Sequence, residues 1–549
     1  MNVQRSVVSS AKLIAGCTLL SRITGLARDI LLAGAFGLGW VQDAWVFAFQ
    51  FPHLFRRLFG EGAIAAAFVP TFTRMLEREG RDSAWQLLAR TLGLMTVALS
   101  VLIVLIGVVL GAIWLFSGGS SEELLPRQLT LFLTALMLPF ILTICIVALF
   151  SSILNCVGSF VPAALMPVLL NLCMIAAIVG LGPAVAPGDH PGQVAVIAFA
   201  VVAAGVLQIL LIFPVLRRHG VRLGWQLQPR DPTVRRMVGL LVPVLFGQGM
   251  LAFGVFLDAL VCKLLTRAPG ADPAVNFLGW TLTYPLEEGA LSAVTYAQRL
   301  YQFPLGVLVV SLGTAALPAL SRFAARHDWD AWVGEARQAL RLAVFEGVLA
   351  GTMMIMLAIP IVRLLFEHGQ FTSGDTARAG FVLTCYGLGM WAFCALHIVV
   401  RSFYSIGDVR TPVMISALLL PLNVVLNLTL VWFDTIREAA FALSTATTST
   451  LAVVVGLIIL QRRVPRRLFD LATGLAPVRM LLAAGVTAGT LAFVEASWSA
   501  LTSNLPSALL SRATETLGLL ALGTIVFVGL SWALGAREAT LLLRWKHAQ

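Results

Sequence analysis

The chain has 549 residues, 59% hydrophobic and 12% charged, with a formal net charge of +11 and a mean hydropathy of +0.90. Apolar runs of about 18 residues or more recur along its whole length, which excludes a soluble globular protein and defines a polytopic integral membrane protein. Short connecting loops leave no room for a separate soluble catalytic domain.

Apolar runs between charged or Pro/Gly punctuation predict fourteen spans, near 8–38, 41–73, 87–116, 128–154, 160–181, 192–216, 237–265, 291–321, 338–366, 379–404, 411–433, 438–460, 477–498 and 513–535. The first exceeds what a bilayer needs and contains Gly25, Gly34 and Gly37, with Gly39 just beyond, which predicts a bend or break. Its N-terminal stretch has no short apolar core followed by a small-residue cleavage site, so Met1 to Leu38 reads as mature protein.

Alternate connections carry the arginines: Arg74, Arg78 and Arg81; Arg217, Arg218, Arg222, Arg230, Arg235 and Arg236; Arg322 and Arg326; then Arg462, Arg463, Arg466 and Arg467. The intervening loops, such as SGGSSEELLPRQ and LGPAVAPGDHPGQV, are poor in basic residues. The positive-inside rule then puts both termini in the cytoplasm and requires an even span count.

A weak internal repeat runs through the first twelve spans. FPHLFRRLFGEGAIAAAFVP (Phe51 to Pro70) echoes FPLGVLVVSLGTAALP (Phe303 to Pro318), and SSILNCVGSFVP before Pro162 echoes SFYSIGDVRTP before Pro412. The similar offsets favour two six-helix lobes related by an axis along the membrane normal. The expected fold is therefore an all-α polytopic membrane protein of 14 transmembrane helices: a lobe over 1–222, a pseudo-symmetric lobe over 223–467, and two C-terminal helices over 468–549 as an appendage.

Charged residues inside the spans are the strongest functional signal. Arg22 and Arg28 lie in SRITGLARDILLAGAFG, and Arg56 and Arg57 in FAFQFPHLFRRLFGEGAIAAAFVP. A guanidinium at the centre of a lipid-facing helix costs at least ~2.5 to 3.5 kcal/mol, so such residues persist where they face a wet cavity or a partner. Several together suggest an internal anion site. Of the 38 basic residues only Lys12, Lys263 and Lys546 are lysines. Arginine's planar fork suits phosphate, but a genome rich in G and C produces the same bias, so position carries the argument.

Residues six apart in a straight helix point about 120° apart, so Arg22 and Arg28 converge only if Gly25 bends the helix. Alternatively, Arg28 and Asp29 are interfacial and mark a helix end. Asp43, Gln50 and Arg57 recur at spacings of seven and share a face, while Arg57 and Glu61, four apart, can pair and leave Arg56 for another partner. Pro52 interrupts this span, and His53 reads as a packed polar residue. Arg299 is the counterpart charge in the second lobe. Asp258 is an isolated acid in an apolar span, and Asn423 and Asn427 lie four apart in the eleventh. Their oxygens suit a hard cation such as sodium, or they serve interhelical hydrogen bonding.

No catalytic set competes. The sequence contains no G-x-S-x-G, H-E-x-x-H or P-loop, its seven histidines lack metal spacing, and its seven cysteines stand singly in apolar stretches as small buried hydrophobes. A transporter is expected, not an enzyme.

The stretches SRITGLARD, QDAWVFAFQFPHLFRRLFGEGAIAAAFVP, YAQRLYQFPLGVLVVSLGTAALPALSR and FYSIGDVRTPV resemble the MurJ/MviN family, the lipid II flippases of bacterial peptidoglycan synthesis. The resemblance extends over all fourteen spans and is most specific in the first two stretches. It implies membership of the multidrug/oligosaccharidyl-lipid/polysaccharide exporter superfamily, whose two six-helix lobes surround a cationic cavity, with two further helices shaping a groove for the lipid tail. Carried over by motif, the cavity arginines fall on Arg22, Arg28, Arg56 and Arg299, and the acids on Asp29, Asp43 and Glu61. Gln50 stands where a lysine is frequent and Gln298 where an aspartate often precedes the arginine. The stretch between Leu265 and Leu291 is longer than usual for the family, as a lid or a tolerated insertion.

The resemblance implies a lipid II flippase of the bacterial inner membrane, working by alternating access, with lipid II and membrane lipids as ligands, cell-wall synthases as further partners and no nucleic acid. No cofactor is expected beyond a coupled monovalent cation held by Asp258, Asn423 and Asn427. Alternatives within transport are a flippase for another polyprenyl-linked oligosaccharide and a drug/cation antiporter. The arginine excess argues against the antiporter. Outside transport, an inactive scaffold would tolerate loss of the arginines, and a membrane glycosyltransferase would show clustered acids outside the membrane.

Overall fold

Proline and glycine decide where this chain's helices change course. The computed structural model describes residues 2–116, 121–270, 272, 274–277, 280–468, 471–502, 508–536 and 538–539. Packing divides the chain into two units, Met1–Leu291 and Ser292–Gln549.

The first unit contains α1 (Asn2–Phe36), α2 (Trp40–Phe55), α3 (Ile64–Arg78), α4 (Arg81–Phe116), α5 (Ser121–Cys156), α6 (Val161–Ala176), α7 (Gly182–Val185), α8 (His190–Arg218) and α9 (Pro232–Leu265). α1 packs on α6, α2 on α5 and α9, and α5 on α4 and α8. Phe68, Phe72, Trp85, Leu88, Phe150 and Ile153 form the core beneath α3, α4 and α5. After α8 an extended linker runs along α4: the Gln226 amide donates to the Ala89 carbonyl at 3.1 Å, and Gly93 leaves room for the Gln226 backbone. The expected lobe boundary at 222/223 falls in this linker. α9, expected to open the second lobe, packs on α2, α3 and α4 within the first unit.

The expected break in the first span does not occur. α1 is one uninterrupted helix from Asn2 to Phe36, and the chain turns only at Gly37, where φ is +59°. Gly25 faces the Asn171 side chain of α6, where a Cβ would make an ordinary contact at 3.5 Å.

The 266–290 stretch is not plain loop. A two-stranded antiparallel hairpin, β1 (Ala274–Phe277) and β2 (Trp280–Thr283), pairs Ala274 with Thr283 and Phe277 with Trp280. The Arg267 amide closes its base on the Leu286 carbonyl at 2.9 Å.

The second unit contains nearly all of α10 (Ala290–Pro304), then α11 (Val310–Ala325), α12 (Trp329–Phe366), α13 (Ser373–Ser405), α14 (Arg410–Leu430), α15 (Ala440–Arg463), α16 (Leu471–Thr502) and α17 (Ala508–Ala533). A reciprocal capping box, Thr372 with Asp375, starts α13. α12 is the unit's spine, packing on α11, α13, α16 and α17. The C-terminal pair docks on it through Phe345, Met480 and Phe527 and through Met353, Leu491 and Leu519.

The repeat has a local geometric counterpart in each unit. A proline removes the amide that would satisfy the carbonyl four residues earlier, and a π-turn is one way a helix absorbs the defect. Pro52 in α2 is followed by a π-turn over Arg56–Ala63, and Pro304 in α10 by one over Leu305–Val309. Likewise α5 and α13 both end in a glycine at positive φ, Gly158 at +81° and Gly407 at +79°. In both, the next amide reaches back five residues: Ser159 to Leu154 at 2.8 Å and Asp408 to Phe403 at 3.0 Å.

Ten described helices are long and apolar enough to cross a membrane. The other four expected spans are also helical: α1, α9 and the pairs α2–α3 and α10–α11, each pair divided by a π-turn. The chain is a helical multi-pass membrane protein, with the hairpin as a short addition.

Candidate functional site

Arg28 and Asp29 are neighbours on α1 and both are buried, 7% and 8% exposed. They lie well before the helix ends at Phe36, so they do not mark a helix end. Arg28 donates from Nε and Nη2 to Asp29 Oδ1 at 3.0 and 2.7 Å, and from Nη1 to Asn171 Oδ1 of α6 at 2.9 Å. Asn171 is itself fixed, donating from Nδ2 to the Ser21 carbonyl and to Thr24 Oγ1, both at 3.2 Å. A guanidinium carries five N–H donors. Three are engaged here, leaving one on each terminal nitrogen without a partner among the described residues. Asp29 offsets the charge of a buried cation whose orientation Asn171 locks.

Arg22 is half-buried on α1, and Arg56 and Arg57 are half-buried at the start of the π-turn. π-turns recur at functional sites because they re-aim side chains. Glu61 lies in the same π-turn, and its side chain, with the expected pairing to Arg57, is outside the described residues. Gln50 is half-buried on α2. His53 packs edge-on against Phe49, with ring centroids 5.1 Å apart.

Asp43 is fully buried. Its Oδ2 accepts from the Gly289 amide at 2.8 Å, and its charge acts on Lys263 of α9. Gly289 sits at φ +84°, and a Cβ there would stand 2.7 Å from the Leu38 carbonyl oxygen. Asp43 therefore clasps the start of α2 to the turn before α10.

In the second unit Arg299 is half-buried on α10. Its neighbour Gln298 donates to the Tyr386 hydroxyl of α13 at 3.1 Å, a neutral bond to a buried ring. Asp258 is buried on α9 of the first unit. On α14, Asn427 donates to Asn423 Oδ1 at 3.3 Å, and Asn423 donates to Thr448 Oγ1 of α15 at 3.5 Å. Amide and hydroxyl oxygens are hard donors, so this set suits a monovalent hard cation. Among the described residues no group of three or more His, Cys, Asp or Glu is arranged to hold a metal.

The structure thus brings together Arg28, Asp29 and Asn171, and separately Asn423, Asn427 and Thr448. Sequence reasoning misses Asn171, whose only signal is being an amide inside the predicted 160–181 span. It also misses Glu346, the one acid inside the predicted 338–366 span.

Two helical units, each with a proline-initiated π-turn and buried or half-buried arginines on its helices, fit a multi-pass membrane transporter. Residues 32–508 match the family described as lipid II flippase MurJ. A probable lipid II flippase MurJ of Rhizobium tropici is 30% identical over 543 residues, covering 98% of this chain and 96% of that protein. The solved structure of a lipid II flippase MurJ in an inward closed conformation superposes with a TM-score of 0.70 at 23% identity, covering 94% of this chain and 98% of that one. An inward-facing multidrug resistance MATE family transporter of the MOP superfamily gives 0.64 at 15% identity over 83% of this chain and 98% of that one, a likeness of fold. The chain belongs to the lipid II flippase MurJ family.

Proposed function

We propose that this chain is a lipid II flippase, carrying a polyprenyl pyrophosphate-linked peptidoglycan precursor from the cytoplasmic to the outer leaflet of a bacterial inner membrane by alternating access. The observation that carries this reading is Arg28: a buried guanidinium, oriented by Asp29 and Asn171, with N–H groups to spare on its terminal nitrogens, in a chain of this family.

The step needs no covalent chemistry. A pyrophosphate-bearing disaccharide-peptide head cannot cross hydrocarbon unaided, so the protein supplies donors in place of water. Arg22, Arg28 and Arg56 hold the pyrophosphate, and Arg299, carried over by the same resemblance, is a further candidate for that role. Asp29, Asp43 and Glu61 set the charge and geometry of the cationic side chains. α16 and α17 receive the polyprenyl tail beside α12. Both termini are cytoplasmic, as the loop arginines favour, and cell-wall synthases are natural consumers of the delivered precursor.

A coupled monovalent cation fits the Asn423, Asn427 and Thr448 oxygens, where it would compensate charge during return. Asp258 is a second candidate for ion coupling. If transport by Asp258→Ala keeps its ion dependence, that role is lost.

The test is complementation. A host depleted of its own lipid II flippase receives this chain, and lipid II reaching the outer leaflet is measured. Rescue supports the reading; failure of a correctly inserted chain points to a different polyprenyl-linked substrate.

A further inference from the structure

Glu346 lies within α12, with the packed second unit around it. It is 7% exposed, and its Oε2 is sealed from solvent with no hydrogen-bond partner among the described residues. The helices around it are pressed close: a Cβ at Gly347 would stand 2.6 Å from Trp391 Cα of α13, and one at Gly351 2.6 Å from the Gly387 carbonyl.

Among the described residues, the surrounding elements bring no cation to Oε2. On α13 the titratable neighbour is Cys394, on which the charge of Glu346 acts; His397 and Arg401 follow further along and act on each other. The π-turn over Leu305–Val309 is apolar, and α11 and α15 offer no titratable side chain before Arg322 and Arg462. The described charges of the C-terminal segments are engaged elsewhere. Arg479 bonds the Gly535 carbonyl, Glu538 pairs with Arg341, Arg512 pairs with Glu367, and Glu495 interacts with Glu515 and Arg363. A carboxylate with one oxygen sealed from water and donors is disfavoured, whereas a neutral carboxylic acid tolerates such a site.

We propose that Glu346 is a proton-carrying site of the second unit, loaded in this conformation and emptied when α12 and α13 part enough for water to reach it. The O–H bond then breaks, the proton passes to water and the carboxylate is left hydrated; a proton from the opposite side reloads it before the helices close. The coupling of this cycle to transport rests on the flippase reading, while the proton site itself does not.

The test uses the full chain in lipid nanodiscs. Infrared difference spectra between wild type and Glu346→Gln at neutral pH should show a protonated-carboxyl C=O band in wild type that the variant loses. Glu346→Met, of similar volume, gives the same comparison should the glutamine variant fold poorly. No band difference from mildly acidic to mildly alkaline pH overturns the proposal. So does sodium-dependent stabilisation of wild type that the variants lose, without such a band, because it assigns the carboxylate to a cation. In liposomes with an imposed pH gradient, wild type should speed lipid II flipping several-fold and the variants should lose that response while keeping gradient-free flipping. An unchanged response in the variants overturns the coupling. Absence of flipping by wild type would instead defeat the flippase reading, leaving the band to decide the proton site.

Discussion

Asn171 on α6 accepts a hydrogen bond from Arg28 Nη1 on α1 at 2.9 Å, joining residues 143 positions apart. The same amide donates to Ser21 and Thr24, so its orientation is fixed from the α1 side. Replacing it by leucine leaves a buried guanidinium short of an acceptor, a loss of ~1.5–3 kcal/mol for a bond to a charged group. Asn171→Leu should melt earlier than wild type and flip less lipid II at equal expression. Asn171→Asp should fold but transport poorly, since a second carboxylate competes with the substrate for Arg28. Thermal melts in detergent and a flipping assay check both.

Arg28 and Asp29 form a buried ion pair. Removing one partner of such a pair costs ~3–5 kcal/mol, mostly from the charge left behind, whereas removing both costs far less. Arg28→Ala alone should therefore be less stable than Arg28→Ala combined with Asp29→Ala, while both abolish transport. A double-mutant cycle measures the difference.

The contrast between these residues and their neighbours shows what is legible in the chain. Spanning segments are legible because hydropathy sums over about 20 consecutive residues. The Phe-Pro motifs at Pro52 and Pro304 are legible because proline acts on its own helix. Arg28's partner is not, since nothing local marks Asn171 as the amide that meets α1. Gly25 reads as a hinge from its neighbours alone, yet α1 runs through it as continuous helix. Asp43 reads as part of a cavity-facing row, but its oxygen is taken by the Gly289 amide. Glu346 carries the same local signal as Asp258, a lone acid in an apolar span, but the close packing around it depends on α13.

The Asp43 clasp makes a separate prediction. Gly289→Ala places a side chain at positive φ, which costs roughly 1–2 kcal/mol before its collision with Leu38. Asp43→Ala leaves a buried amide without an acceptor, a cost of ~1–3 kcal/mol. Asp43→Asn keeps an acceptor oxygen and should retain most of the stability. Thermal melts of the three variants should rank the asparagine form highest.

Asp408, in the turn between α13 and α14, gives a pH dependence. Burial pushes its carboxyl up, but bonds from the Thr411 hydroxyl and amide, at 2.6 and 3.0 Å, and the Arg463 guanidinium at 3.9 Å outweigh it and hold it below the usual carboxylate range. A carboxyl lowered in the folded state adds stability that is present above its unfolded pKa and lost as pH falls through its folded one. Wild type should therefore lose thermal stability on acidification more steeply than Asp408→Asn, with the two curves converging in acid.

The most direct test of the account is lipid II translocation in flippase-depleted cells carrying wild type, Arg28→Ala, Arg56→Ala or Arg299→Ala at matched levels of folded, inserted protein. The account predicts that wild type restores lipid II to the outer leaflet and that each arginine variant fails. Rescue by the variants equal to wild type would contradict it, because the pyrophosphate would then cross without the cations assigned to hold it.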